Sequence, residues 1–179
     1  DQECETVPRT MSVDVILEDE RWIDQNLEGC SARAFDAVMS YFNLQNSGFE
    51  CCVLGCDDQK ITILNGDFRD KPTATNVLSW PSEERGAECA GQRPDLPDPT
   101  CDPELGDIAI SYDTCLREAK DRSIAISDHI THLITHAVLH LLGYDHIRDK
   151  DATLMESNEI EILDKMEILN PYRDWDAKY

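Results

Sequence analysis

The residues whose chemistry is plainest lie together, in the run His136-Ala137-Val138-Leu139-His140-Leu141-Leu142-Gly143-Tyr144-Asp145-His146. Histidines four apart on a helix present their rings one turn apart on the same face. Gly143 is free to take a left-handed conformation, end that helix and turn the chain back. His146 then comes round toward the same point as His136 and His140. Three neutral imidazoles with the fourth position open make a catalytic zinc site rather than a closed structural one. Such a cation lowers the pKa of a bound water to roughly 7, and it polarises a carbonyl or phosphoryl oxygen. The residues alone do not choose between those two roles.

The metzincin proteases share this histidine spacing, but they carry a glutamate directly after the first histidine as general base. Here that position is Ala137, so peptidase chemistry takes second place. His129 and His132 precede His136 on the same helix and could line the cleft, although a solvated N-terminal turn is the plainer reading. Asp145 reads equally as an acceptor for a ligand ring and as a turn residue. Arg69 offers planar paired donors suited to phosphate. It falls in a loop between a helix and a strand, and by composition alone it is an ordinary surface arginine. Arg117, Lys120 and Arg122 gather on and just beyond one predicted helix. They could extend a track for a polyanion, and a solvated helix face explains them as well.

These residues need elements to position them. Met11, Val13, Val15 and Leu17 alternate with polar residues at the period of a half-buried strand. Asp19 is a fair N-cap for a helical region from about Glu20 to Tyr41, with Gly29 and Ser31 as places where it could break. A second strand spans Phe49 to Leu54. Asp57 and Asp58 open a short helix that ends near Asn65-Gly66, a dipeptide that signals a turn. Asn76 to Trp80 is a third strand stopped by Pro81, and Gly106 to Ser111 a fourth. Between them, from about 82 to 105, lies a proline-rich acidic stretch without apolar periodicity, a long surface loop. Helices are predicted over Thr114 to Asp121, from Ser127 or Asp128 to Gly143, and from about Lys150 to Leu169. The expected fold is a mixed α/β single domain over residues 1–179, with a small four-stranded mixed sheet and about five helices. The metal site sits at the end of a central helix.

Composition narrows the function. Acidic residues number 37 against 16 basic ones, for a net charge of −21. That argues against non-specific binding to nucleic acid or to an anionic membrane across the whole surface, so a polyanion must be met locally. No apolar run reaches the length of a membrane span, and the first ten residues lack the charge and apolar pattern of a secretory leader. A soluble, intracellular protein is the expectation. The chain has eight cysteines and no C-x-x-C pair. Reduced thiols are expected, with Cys51, Cys52 and Cys56 as small buried residues rather than a second metal site.

Five stretches, in order, carry a family resemblance: Leu64-Asn65-Gly66-Asp67-Phe68-Arg69, Thr75-Asn76-Val77-Leu78-Ser79-Trp80-Pro81, Leu105 to Ile110, His136 to His146, and Asn170-Pro171-Tyr172. Together they resemble the YbeY rRNA maturation factors over nearly the whole chain from Thr10 to Tyr172. The resemblance implies a cytoplasmic, zinc-dependent, single-strand-specific endoribonuclease in small-subunit rRNA 3′-end maturation and ribosome quality control. It implies His136, His140 and His146 as ligands of one Zn2+ and Arg69 as the catalytic arginine. The implied partners are rRNA, the ribosome or its small subunit, and ribosomal or GTPase assembly proteins, with no membrane. Ala137 departs from the family's usual glycine, and its methyl could narrow the approach to the metal. The acidic loop looks like a lineage-specific elaboration. Two other readings stay open: a metallohydrolase of another class, which needs the histidines but not Arg69, and a non-catalytic assembly factor with a structural metal.

Overall fold

The computed structural model describes residues 12–101 and 103–172. Strand β1 (Val13–Leu17) leads through a 3-10 turn at Glu20–Gln25 into helix α1 (Leu27–Tyr41). Then come β2 (Glu50–Cys56), α2 (Asp58–Arg69), β3 (Val77–Pro81) and β4 (Glu104–Ser111). Helices α3 (Tyr112–Asp121), α4 (Ile126–Leu141) and α5 (Asp149–Lys165) complete the fold. The strand order is β1-β2-β4-β3, with β1, β2 and β4 parallel and β3 antiparallel to β4. The mixed four-stranded sheet of the sequence analysis is present. Met11 lies outside the described residues.

The two faces of the sheet are covered unequally. Ile108 and Ile110 of β4 point into a large core shared with α1, α4 and α5. Ala109, between them, joins Cys56, Ile61 and Leu78 in a small core beneath α2. With both faces covered, Ile108 to Ser111 form a continuous buried run, as an inner parallel strand requires. Each fully buried leucine or isoleucine there contributes roughly 1.5–3 kcal/mol of transfer free energy. Helix α4 is apolar nearly all round, because it packs against α1, α3, α5 and the β3–β4 edge of the sheet. The histidine helix is therefore the most enclosed element of the fold.

Three expectations need correction. The first helical region breaks at Asn26, which takes a left-handed conformation (φ 50°) and caps α1 through its side chain, and not at Gly29 or Ser31. Helix α2 does not end at Asn65-Gly66 but runs on to Arg69. Asn65 is buried and its Nδ2 donates to Thr73 O at 3.0 Å, while Gly66 lies under Pro72, where an added Cβ would stand 3.2 Å from the proline Cβ. The dipeptide serves packing against the following loop, and tertiary contact overrides its turn signal. Last, α5 closes at Lys165 rather than near Leu169.

The acidic stretch has no regular structure, yet it is anchored. Arg85 donates to Leu141 O at 2.9 Å and Leu105 O at 3.1 Å. Arg148 donates to the carbonyls of Ala87 and Glu88, and Asp151 accepts from the amide of Gly91. All described cysteines are free, and burial pushes the thiols of Cys51, Cys56 and Cys115 up to about 12. They are inert core residues. Among the described residues no helix is long and apolar enough to cross a membrane.

Candidate metal centre

Helix α4 ends in a Schellman motif. Gly143 (φ +103°) is the left-handed residue, Tyr144 N donates to Leu139 O at 3.1 Å, and Gly143 N to His140 O at 3.0 Å. A side chain is excluded at Gly143, since an added Cβ would lie 2.4 Å from Arg85 O. The turn does two things. It carries His146 back beside the helix, so that ligand atoms of His136, His140 and His146 all lie within 4.8 Å of one another. It also places the Tyr144 carbonyl 2.9 Å from Nδ1 of His140, which donates to it. Asp145 accepts from the backbone amide of His146 at 2.7 Å, so it shapes the turn rather than orienting a ligand ring.

His136 is oriented from the other side. Its Nδ1 stands 2.5 Å from Oε1 of Glu159 on α5. Both helix histidines thus spend the Nδ1 hydrogen on an oxygen acceptor, and each presents an Nε2 lone pair. Those two Nε2 atoms are 3.0 Å apart. Two acceptors face each other at that distance favourably only with a cation between them, and imidazole nitrogens suit zinc. The donor set therefore fits a metal. Burial, with the imidazoles of His136 and His146 nearby, lowers His140 to about 4, so it stays neutral and ligand-competent.

Glu159 escaped the sequence reading. Fully buried, it lies 3.3 Å from His132 Nε2 and accepts from the Tyr172 hydroxyl at 2.7 Å as well as from His136. Burial alone would raise its pKa. The hydrogen bonds from His132 and His136 outweigh that and hold it well below the usual carboxylate range. A signal was present, because Met155, Glu159, Ile162 and Leu163 mark one helical face and the glutamate occupies a core position on it. His132 and His129 are buried, not solvated as expected. His129 Nε2 stands 3.1 Å from Glu118, which also accepts from Asn76. Burial disfavours the His132 cation, with Glu159 opposing that only in part.

A cleft of about 820 Å³ opens beside the ligands, lined among others by His140, His146, Arg69, Lys71, Arg85 and Arg148. Arg69, the last residue of α2, is exposed, and its Nη2 donates to Ser79 O on the edge strand at 3.3 Å. Asp70 follows in a left-handed cap (φ 54°). Arg69 is thus held at a helix end and not in a loop. Ala137 is fully buried in the core, so its methyl does not reach this cleft. Arg117, Lys120 and Arg122 do not line it; Arg117 pairs with Asp58 at 3.2 Å, and Arg122 borders a separate cavity with His132.

The family model described as Endoribonuclease YbeY matches residues 14–167. The chain belongs to the YbeY family. Proteins named Endoribonuclease YbeY share 47% identity over 168 residues in Dinoroseobacter shibae, covering 92% of each chain. In Ruegeria pomeroyi the identity is 51% over 164 residues, covering 90% of this chain and 98% of the relative. In Paracoccus denitrificans it is 51% over 160 residues, covering 89% of each. The solution structure of a Thermotoga maritima protein superposes with a TM-score of 0.51 at 18% identity, covering 93% of this chain and 99% of that one. That likeness supports the fold alone. As a YbeY, the chain matches its relatives over nearly their full length.

Proposed function

We propose that this YbeY chain is a metal-dependent endoribonuclease acting on single-stranded RNA in small-subunit rRNA 3′-end maturation and ribosome quality control. Zinc is its cation, the cytoplasm its location, and the ribosome or its small subunit its partner. Residues 1–179 act as one domain. The observation that carries the reading is that Arg69 shares one cleft with His140 and His146, in a chain of an endoribonuclease family.

His136, His140 and His146 would hold the cation. Bound there, it would supply Lewis acidity at a phosphoryl oxygen. Glu159 and the Tyr144 carbonyl hold the two helix rings in the tautomer that leaves Nε2 free. Arg69 donates to the non-bridging oxygens of the phosphate and takes up the charge that builds there as the phosphorane forms. Its hydrogen bond to Ser79 O points the guanidinium before substrate arrives, which lowers the ordering cost on binding. With a net charge of −21, attraction for RNA has to be local, at the metal and at Arg69, Lys71, Arg85 and Arg148, which share the cleft with Glu84, Asp145 and Asp151.

The test is cleavage of a precursor small-subunit rRNA 3′ fragment by purified protein, beside Arg69→Ala and His140→Ala variants prepared identically. The wild type cuts, and both folded variants lose roughly a hundredfold to a thousandfold or more in rate. If all three cut alike, the activity belongs to a contaminant and the reading fails.

A further inference from the structure

Two of the most exposed large apolar side chains each adjoin a residue of the cleft in sequence. Phe68, 65% exposed, precedes Arg69 without itself lining the cleft; Ile147, 82% exposed, follows His146 and does line it. Apolar residues scattered singly on a surface are ordinary, so it is their placement that matters. The end of α2 is tied to the edge strand β3 by two neighbouring contacts. Arg69 bonds to Ser79 O, and the Phe68 ring meets Trp80 edge to face, with centroids 5.6 Å apart and planes at 68°. Phe68 is thereby held in place rather than left to swing. Ile147 lines the cleft itself, beside the third ligand.

We propose that Phe68 and Ile147 pack against unpaired bases flanking the phosphate gripped in the cleft, and that this contact selects single strands. The proposal rests on the ribonuclease reading above. A chain of this charge has little long-range attraction for RNA, so short-range contact with bases must supply much of the binding. Every base offers an apolar face to an aromatic or aliphatic side chain, whatever its sequence. In a duplex those faces are covered by neighbouring pairs, and only an unpaired base can present one. Arg69 then reads the backbone while its neighbour Phe68 reads the absence of pairing.

The test measures binding of a single-stranded RNA oligonucleotide, and of the same strand carrying abasic residues, to the metal-loaded wild type, Phe68→Ser and Ile147→Thr. Melting temperatures confirm that the variants fold, as exposed positions should. Each variant weakens binding of the base-bearing strand by roughly tenfold and binds the abasic strand as the wild type does. Phe68→Tyr restores the base-bearing affinity. If the wild type binds and cuts the strand while both variants bind it equally well, the base contact is refuted and the nuclease stands. Equal weakening on both strands also refutes it. A wild type that neither binds nor cuts sinks both readings.

Discussion

Glu159 accepts a hydrogen bond from Nδ1 of His136 across 2.5 Å, and the carboxylate has no exposure to solvent. Helix α5 thereby orients a proposed metal ligand that belongs to α4. Glu159→Gln keeps the shape but removes the carboxylate charge that accepts from His136 and orients its ring. Metal affinity falls by about 10–100-fold, read by competition with a chromophoric chelator. An unchanged affinity would show that His136 is oriented by something else.

Acid acts on the same site. His140 titrates near 4 in the folded protein, chiefly because it is buried, against about 6.5 when unfolded. Between those values the unfolded chain binds a proton that the folded one does not. The stability of the metal-free protein is therefore complete above about pH 6.5 and is lost as pH falls toward 4, by on the order of 3 kcal/mol. Glu159, depressed despite its burial, acts in the same direction at still lower pH. Urea midpoints of metal-free protein between pH 8 and pH 4.5 measure the slope; a flat profile contradicts it.

The zinc proposed above would bind the folded chain, in which the three histidines are assembled, and not the unfolded one. Added at about a hundredfold over its dissociation constant, it stabilises by roughly 2.7 kcal/mol. EDTA reverses this. His146 is the exposed member of the triad, so His146→Ala leaves metal-free stability within about 0.5 kcal/mol of wild type and abolishes the response to zinc. Thermal melts with and without metal decide it, and a variant that still responds would remove His146 from the ligand set.

Gly143→Ala must fill a space in which Cβ would lie 2.4 Å from Arg85 O, at φ +103°. It costs at least roughly 1–3 kcal/mol, and the displaced turn weakens metal binding as well. Gly86→Ala is the control, because the nearest atom to its added Cβ is Gly143 O at 3.8 Å. Denaturation midpoints of the two variants should separate clearly; equal midpoints would mean that the turn relaxes freely.

What the sequence disclosed was whatever depends on local geometry. His136, His140, Gly143 and His146 are readable because helical period and a left-handed glycine act within eleven residues. The four strands follow from apolar alternation and short apolar runs. Long-range contact was not readable. Asn65-Gly66 looks like a turn until Thr73 and Pro72 pack against it. His129 and His132 look solvated until α3 and α5 supply Glu118 and Glu159. No spacing rule joins a glutamate to a histidine 23 residues away on another helix.

The acidic stretch is fastened as far as Gly91, and Pro94 just beyond it is buried against the cleft. Residues 95–101 are exposed or half-buried. Among the described residues the stretch thus has a fastened half and a more exposed half. Length changes and grafted sequences belong in the more exposed half, where a reporter domain or affinity tag can be spliced without touching the wall of the cleft. Drift between lineages should accumulate in the same place, so the stretch that reads as one feature will evolve as two.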